Sequence, residues 1–122
     1  MEVRSYRDLE VWRKSIRLVE ETYRLSSGLP RNEEFGLKIQ MRRAAVSIPS
    51  NIAEGHSRRH SREFLQHLSI SSGSLAELET QINLAMRWNF IHPTDAEEAT
   101  RLCKEIGKML HGLANAIRRR TN

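Results

Sequence analysis

The chain has 122 residues, 39% of them hydrophobic and 29% charged, with a formal net charge of +5 and an isoelectric point near 10.0. That length supports one domain, residues 1–122, with a core of its own. Glycine and proline are few and alternating Val/Ile/Thr runs are missing, which excludes a β class and leaves an all-α one.

The N-terminus, MEVRSYRDLEVW, is charged throughout and lacks the apolar centre of a secretory signal. The first helix is predicted from near residue 8 to about 26, with Ser5 and Asp8 as a capping arrangement. Leu9, Trp12, Ile16, Val19 and Tyr23 form its expected core stripe, and Val11, Ser15, Leu18 and Leu25 a weaker second one. Gly28 and Pro30 end it.

The second helix is predicted to start after Asn32 as N-cap, with Glu33 and Glu34 in its first turn, and to run to about residue 55. Its Gln40–Gly55 stretch, QMRRAAVSIPSNIAEG, organises the chain. At about 100° per residue, Leu37, Met41, Ala44, Ile48 and Ile52 share one face and Phe35, Ile39, Val46 and Ala53 a second. A helix apolar on two sides needs two partners, its own bundle and a second copy of the chain. Pro49 removes one intrahelical bond, to the carbonyl of Ala45, so a kinked continuous helix is expected; a break recapped by Ser50 is the alternative. The longest uncharged run, residues 44–53, is too short and too polar to span a bilayer.

A third helix follows the basic junction HSRRHSR, from about residue 62 to 88, with Ser61 as N-cap and a core stripe of Phe64, Leu65, Leu68, Leu75, Leu78, Ile82 and Met86. Its middle holds Ser69, Ser71, Ser72, Gly73 and Ser74, poor helix formers that permit close approach to the small residues of the second helix. Thr94 and Glu97 read as a capping box for a fourth helix to about residue 118, with a stripe of Ala99, Leu102, Ile106, Met109, Leu113 and Ile117. Cys103 lies beside that stripe. A lone cysteine makes no internal disulfide, so a reducing compartment, the cytoplasm, is expected. Four helices with short connections argue an antiparallel up-down-up-down bundle.

QMRRAAVSIPSNIAEG followed by GSLAELETQI resembles the ribosomal-RNA intervening-sequence protein family, also called the four-helix bundle protein family. YRDLEVWRKSIRLVEETYRL and FGLKIQMRRA are similar to its first two helices, and the resemblance spans about residues 6–91. It implies a left-handed four-helix bundle and ring-shaped homopentamers. Some relatives are encoded within insertions in large-subunit ribosomal RNA genes, and distant ones are nucleic-acid-binding accessory factors of retroelement reverse transcriptases. The family's biochemical task is mostly unknown.

Four constellations are candidates for function. The first is a polar band, Gln40, Arg43, Ser47, Asn51 and Glu54, facing Ser74, Glu77 and Glu79. It reads either as a polar site lining a groove or pore, or as a satisfied interhelical network that sets register, since a buried charge must be paired in any case. Arg43 is expected to pair with Glu77 or Glu79, and Asn51 to bond a backbone group freed by Pro49. The second is Arg58, Arg59 and Arg62, joined by Arg42. Guanidinium forks suit phosphate oxygens, so these arginines are the expected contact to RNA or DNA; the plainer reading is a solvated helix connection. No aromatic residue interleaves them, which argues phosphate contact rather than base stacking.

The third is His56, His60 and His67 with Glu63, too few convergent ligands for zinc, so no metal and no cofactor is expected. The fourth is catalysis. No nucleophile motif or phosphate-cradling glycine loop is present, and Glu77 and Glu79, two apart, point to different sides of a helix, so no enzymatic activity is expected. The sequence therefore reads as a non-enzymatic homo-oligomer that binds nucleic acid through phosphates. A protein–protein scaffold is the rival, and a membrane partner is not expected.

Overall fold

A computed structural model describes residues 3–121, Thr121 by its backbone alone. Among the described residues the chain is all helical, with four α-helices and no strand: α1 (Glu10–Ser26), α2 (Leu37–His56), α3 (Ser61–Arg87) and α4 (Glu97–Thr121). Short 3-10 turns cover Tyr6–Asp8 and Arg31–Glu33. Each α-helix packs against two others: α1 on α2 and α4, and α3 on α2 and α4.

The Ser5/Asp8 capping box forms, but around the 3-10 turn, and α1 starts two residues beyond Asp8. The stripe expected to carry the α1 core is the half-buried one. Val11, Ser15, Leu18, Thr22 and Leu25 are buried, whereas Tyr23 is 42% exposed and Trp12 and Val19 are half-buried. The reason is hydrogen bonding. Ser15 Oγ donates to the Val11 carbonyl at 2.7 Å and Thr22 Oγ1 to the Leu18 carbonyl at 2.7 Å. Both hydroxyls are satisfied inside their own helix, so small polar residues can enter the core at little cost. Trp12 instead packs edge-on against Tyr6, centroids 5.2 Å apart, under the N-terminal turn.

α2 begins at Leu37, later than the Asn32 cap predicts. Gly36, at φ −109° and ψ −109°, is outside the helical region and ends the preceding turn. Glu33 Oε1 accepts from the Leu37 N–H at 3.2 Å, so the acidic first-turn residue caps the helix one turn further on. From there α2 runs unbroken through Pro49, which is buried. Its Leu37, Met41, Ala44, Ile48 and Ile52 face is buried as the spacing requires. On the second face Phe35 is 89% and Val46 40% exposed, with Ile39 and Ala53 intermediate.

α3 meets α2 through small residues. Ser71 Oγ donates to the Ile48 carbonyl at 2.9 Å and Ser74 Oγ to Ser47 Oγ at 2.8 Å. Ser69, Ser72 and Gly73 point outward, so only two members of the small cluster serve this contact. At the end of the interface a Cβ on Gly55 would lie 2.7 Å from His67 Cβ and 3.0 Å from Phe64 Cδ1. Glycine is required there by close approach. Gly55→Ala is expected to lower stability by about 1–3 kcal/mol, read as a fall in thermal midpoint, because the neighbour is a Cβ that cannot swing away.

α3 ends in a Schellman motif. The Phe90 N–H donates to the Ala85 carbonyl at 2.8 Å and the Asn89 N–H to the Met86 carbonyl at 3.0 Å, with Asn89 at φ 61°. The Thr94/Glu97 capping box does not form. The Thr94 N–H donates to His92 Nδ1 at 3.1 Å, and α4 starts only at Glu97. α4 is tied to α1 by Lys14 and Glu105 at 2.6 Å, which holds the Glu105 carboxyl below its ordinary value. Arg17 and Glu98 lie 3.9 Å apart, and Arg24 Nη2 reaches the Asp95 carbonyl at 2.9 Å. The α4 stripe of Ala99, Leu102, Ile106 and Ile117 is buried, with Cys103 and Leu110 beside it.

Candidate nucleic-acid interface

Two places hold the polar residues singled out by sequence. One is the α2/α3 seam. Asn51 Nδ2 donates to the Ser47 carbonyl at 2.9 Å and to Ser47 Oγ at 3.1 Å. With that amide nitrogen spent, Asn51 Oδ1 accepts from His67 Nδ1 at 2.9 Å, which fixes the imidazole tautomer. Asn51 therefore bonds the Ser47 carbonyl, not the Ala45 carbonyl that Pro49 leaves without its usual donor. His67 was weighed only as a metal ligand in sequence and is in fact the third member of this chain of bonds. Ser47, Asn51, His67 and Ser74 form a satisfied seam that sets the α2/α3 register.

Arg43 and Glu77 line a cavity of about 270 Å³ with Gln40, Ala44, Ser47, Ser74 and Gln81, but no ion pair joins them among the described residues. The expected Arg43–Glu79 pairing fails outright. Glu79 is on the opposite side of α3, beside Cys103 and Ile82, because residues two apart on a helix diverge by about 200°. Glu54 also leaves the seam and pairs with Arg58 at 2.9 Å. Gln81 Oε1 is buried and has no hydrogen-bond partner among the described residues.

The other place is the end of the molecule where α2 passes into α3. Arg58, Arg59 and Arg62 are all exposed there. Arg58 is shared between Glu54 at 2.9 Å and Glu63 at 3.8 Å, while no carboxylate among the described residues lies within ion-pair distance of Arg59 or Arg62. At 42–52% exposure those Arg58 pairs are screened, and each contributes only about 0.3–0.5 kcal/mol. The last turn of α4 ends at the same place and brings Arg120 to it. Arg120 and Ile117 from α4 line one groove of about 360 Å³ with His56, Arg58, Arg59, His60, Ser61 and Phe64, and with Val3, Leu9 and Leu113. His56 stands edge-on to Phe64, centroids 5.8 Å apart. Arg120 and Phe64 belong to this site and the sequence reading did not place them there, because α4 and α3 are brought together only by the fold; His60, weighed in sequence as a metal ligand, lines the same groove.

Arg42 does not belong to it. Arg42 lies fourteen residues before the end of α2 at His56, roughly 21 Å of helix away from that junction. Its guanidinium lies 4.3 Å from the Tyr23 ring centroid, and its Nε donates to Ser26 Oγ at 2.8 Å. It clamps α2 to the end of α1.

Cys103 is buried in α4, and burial pushes its thiol from 9.0 up to about 12. The folded protein therefore keeps its thiol protonated where the unfolded chain ionises. Stability from this group is complete below pH 9 and is lost as pH rises towards 12. At pH 8 its thiolate fraction is roughly 10³-fold below that of an ordinary thiol, so labelling by a thiol reagent is expected only after denaturant is added. Among the described residues no group of three or more His, Cys, Asp or Glu is placed to hold a metal ion, and no helix is long and apolar enough to cross a membrane.

Fold and site define a small all-α protein with a cluster of arginines from two distant segments at one end. Residues 7–112 match the family described as 23S rRNA-intervening sequence protein, and the chain belongs to that family. A similar solved structure is a protein of unknown function from the S23 ribosomal protein family of Bacteroides thetaiotaomicron. It is 26% identical, covers 85% of this chain and 97% of its own, and superposes with a TM-score of 0.79. No curated protein matches the chain.

Proposed function

We propose that this chain is a non-enzymatic nucleic-acid-binding protein that holds RNA phosphates at its basic end. One observation carries the reading: Arg58 and Arg59 from the α2–α3 junction line one groove with Arg120 from the end of α4, and Arg62 lies exposed on the first turn of α3 beside them in sequence. Guanidinium groups of Arg59 and Arg62, with no carboxylate among the described residues within ion-pair distance, are available to phosphate oxygens. The family's name, which ties it to an intervening sequence of ribosomal RNA, favours RNA over DNA.

In this reading residues 1–122 form one domain, a left-handed antiparallel up-down-up-down bundle with α2 bent at Pro49. The cross-helix pairs Asn51/His67, Ser47/Ser74, Lys14/Glu105 and Arg24/Asp95 support the antiparallel order, since one number rises as the other falls. Copies assemble through the outer face of α2, most simply as a homopentamer. Phe35 at 89% exposure and a depression lined by Tyr23, Ile39 and Val46 support that assignment, because a surface helix seldom leaves such a flank to water. A ring repeats the arginine cluster once per subunit, so weak contacts add.

Pull-down from lysate with and without nuclease separates this reading from a protein scaffold that uses the same outer face. Partners that vanish with nuclease are expected. Partners that survive it assign the charge to solubility and the protein to scaffolding.

A further inference from the structure

We infer that the groove at the basic end takes an unpaired nucleobase, so that the RNA held there is single-stranded or looped rather than duplex. The inference rests on the phosphate-binding reading above and adds a ligand class to it. Phosphate contact alone needs guanidinium groups on an open surface. Here Arg58, Arg59 and Arg120 stand instead around a groove with Phe64, Leu113 and Ile117 in its wall. Its volume of about 360 Å³ lies within the ~300–1,000 Å³ of small-ligand pockets.

A duplex offers this groove nothing to bury, since its bases are stacked inside and only phosphates and sugars reach the rim. A base turned out of a strand offers a flat apolar face of any sequence and carries phosphates on both sides for the flanking arginines. Phe64 is half-buried and stands edge-on to His56 at 88°, so the two rings form an aromatic wall of the groove. A peptide ending in an apolar residue and a free carboxylate would occupy the floor but answer only one of Arg59 and Arg120, the two groove guanidinium groups that are not already shared with Glu54 and Glu63 as Arg58 is. Charge complementarity therefore favours a strand with successive phosphates.

The test compares one mixed-sequence RNA as a single strand, as its blunt duplex and as the DNA strand of the same sequence, by fluorescence anisotropy at low salt. The single-stranded RNA is expected to bind about tenfold or more tighter than the duplex. A 2-aminopurine within that strand is expected to change its fluorescence on binding. Phe64→Leu keeps apolar volume and Leu113→Ser sits on a half-buried site. Both are expected to lower single-strand affinity several-fold and leave duplex affinity unchanged, with thermal unfolding confirming that each folds. Arg59→Ala is expected to weaken both nucleic acids alike. Equal affinity for strand and duplex, or a Phe64→Leu effect identical on both, overturns the base pocket and leaves the phosphate reading standing. Tighter binding of the DNA strand overturns the RNA assignment, and displacement of RNA by an apolar peptide with a free carboxylate assigns the groove to protein. No binding to any of the three nucleic acids overturns both readings.

Discussion

Replacing Arg58, Arg59 and Arg62 together by alanine is expected to weaken RNA binding at ~50 mM salt by about 10²-fold and to reduce the slope of log K against log salt by roughly 2–3. Each phosphate neutralised releases counterions worth about 0.7–0.9 of slope, and three contacts give that total. The loss should shrink as salt rises, since the native and variant curves converge once counterion release is suppressed. The three contributions are unequal. Arg58 is already shared with Glu54 and Glu63, so most of the effect belongs to Arg59 and Arg62, which face no carboxylate among the described residues. All three side chains are exposed and only the two screened Arg58 pairs are lost, so stability should fall by no more than about 1 kcal/mol. Arg42→Ala provides the contrast. It should leave the salt slope alone and cost about 1 kcal/mol of stability, because it removes a cation–π contact on Tyr23 and hydrogen bonds to Ser26 and Ser27. An unchanged slope in the triple variant removes the basic end from the binding surface.

The second large effect concerns assembly. Phe35→Asp with Val46→Asp is expected to convert the proposed oligomer into a 14.2 kDa monomer in sedimentation at micromolar concentration. The fold should survive, since both side chains already face water in the single chain at 89% and 40% exposure. Charges placed there must be desolvated if a second copy is to cover them, which costs several kcal/mol per contact. RNA affinity should fall with assembly by 10²-fold or more, because each arginine cluster then binds alone instead of through linked copies. Native protein that already sediments as a monomer ends the assembly argument, and with it the contribution of avidity.

Much of the fold was legible because helical spacing is a local signal. The α2 core face and most of the α4 stripe lie where helical period puts them, whereas the α4 start, placed by capping chemistry at Thr94, lies at Glu97. The α1 stripes were inverted because apolarity was taken as the measure of burial. Ser15 and Thr22 bond to carbonyls one turn back and so reach the centre, while Tyr23 stays outside as the platform for Arg42. The late start of α2 had a cue in Gly36, which the acidic pair before it outweighed.

The site was half legible. A run such as Arg58, Arg59 and Arg62 is visible in any reading of charge. Its meeting with Arg120 is not, since nearly sixty residues intervene, and the wall of Phe64, Leu113 and Ile117 depends on α3 and α4 converging. The polar band on α2 misled for a related reason. Helical facing places Glu54 and Glu79 only to within a wide arc, and the structure turns the first towards Arg58 and the second towards Cys103.

Cross-linking of 4-thiouridine-substituted RNA to the native protein, with the modified peptides identified by mass spectrometry, tests the location of binding without any substitution. Adducts are expected within residues 56–64 and 113–120, from two segments distant in sequence and joined in one groove. Adducts confined to the outer face of α2 around Ile39 and Val46, or none above background at low salt, would contradict the account.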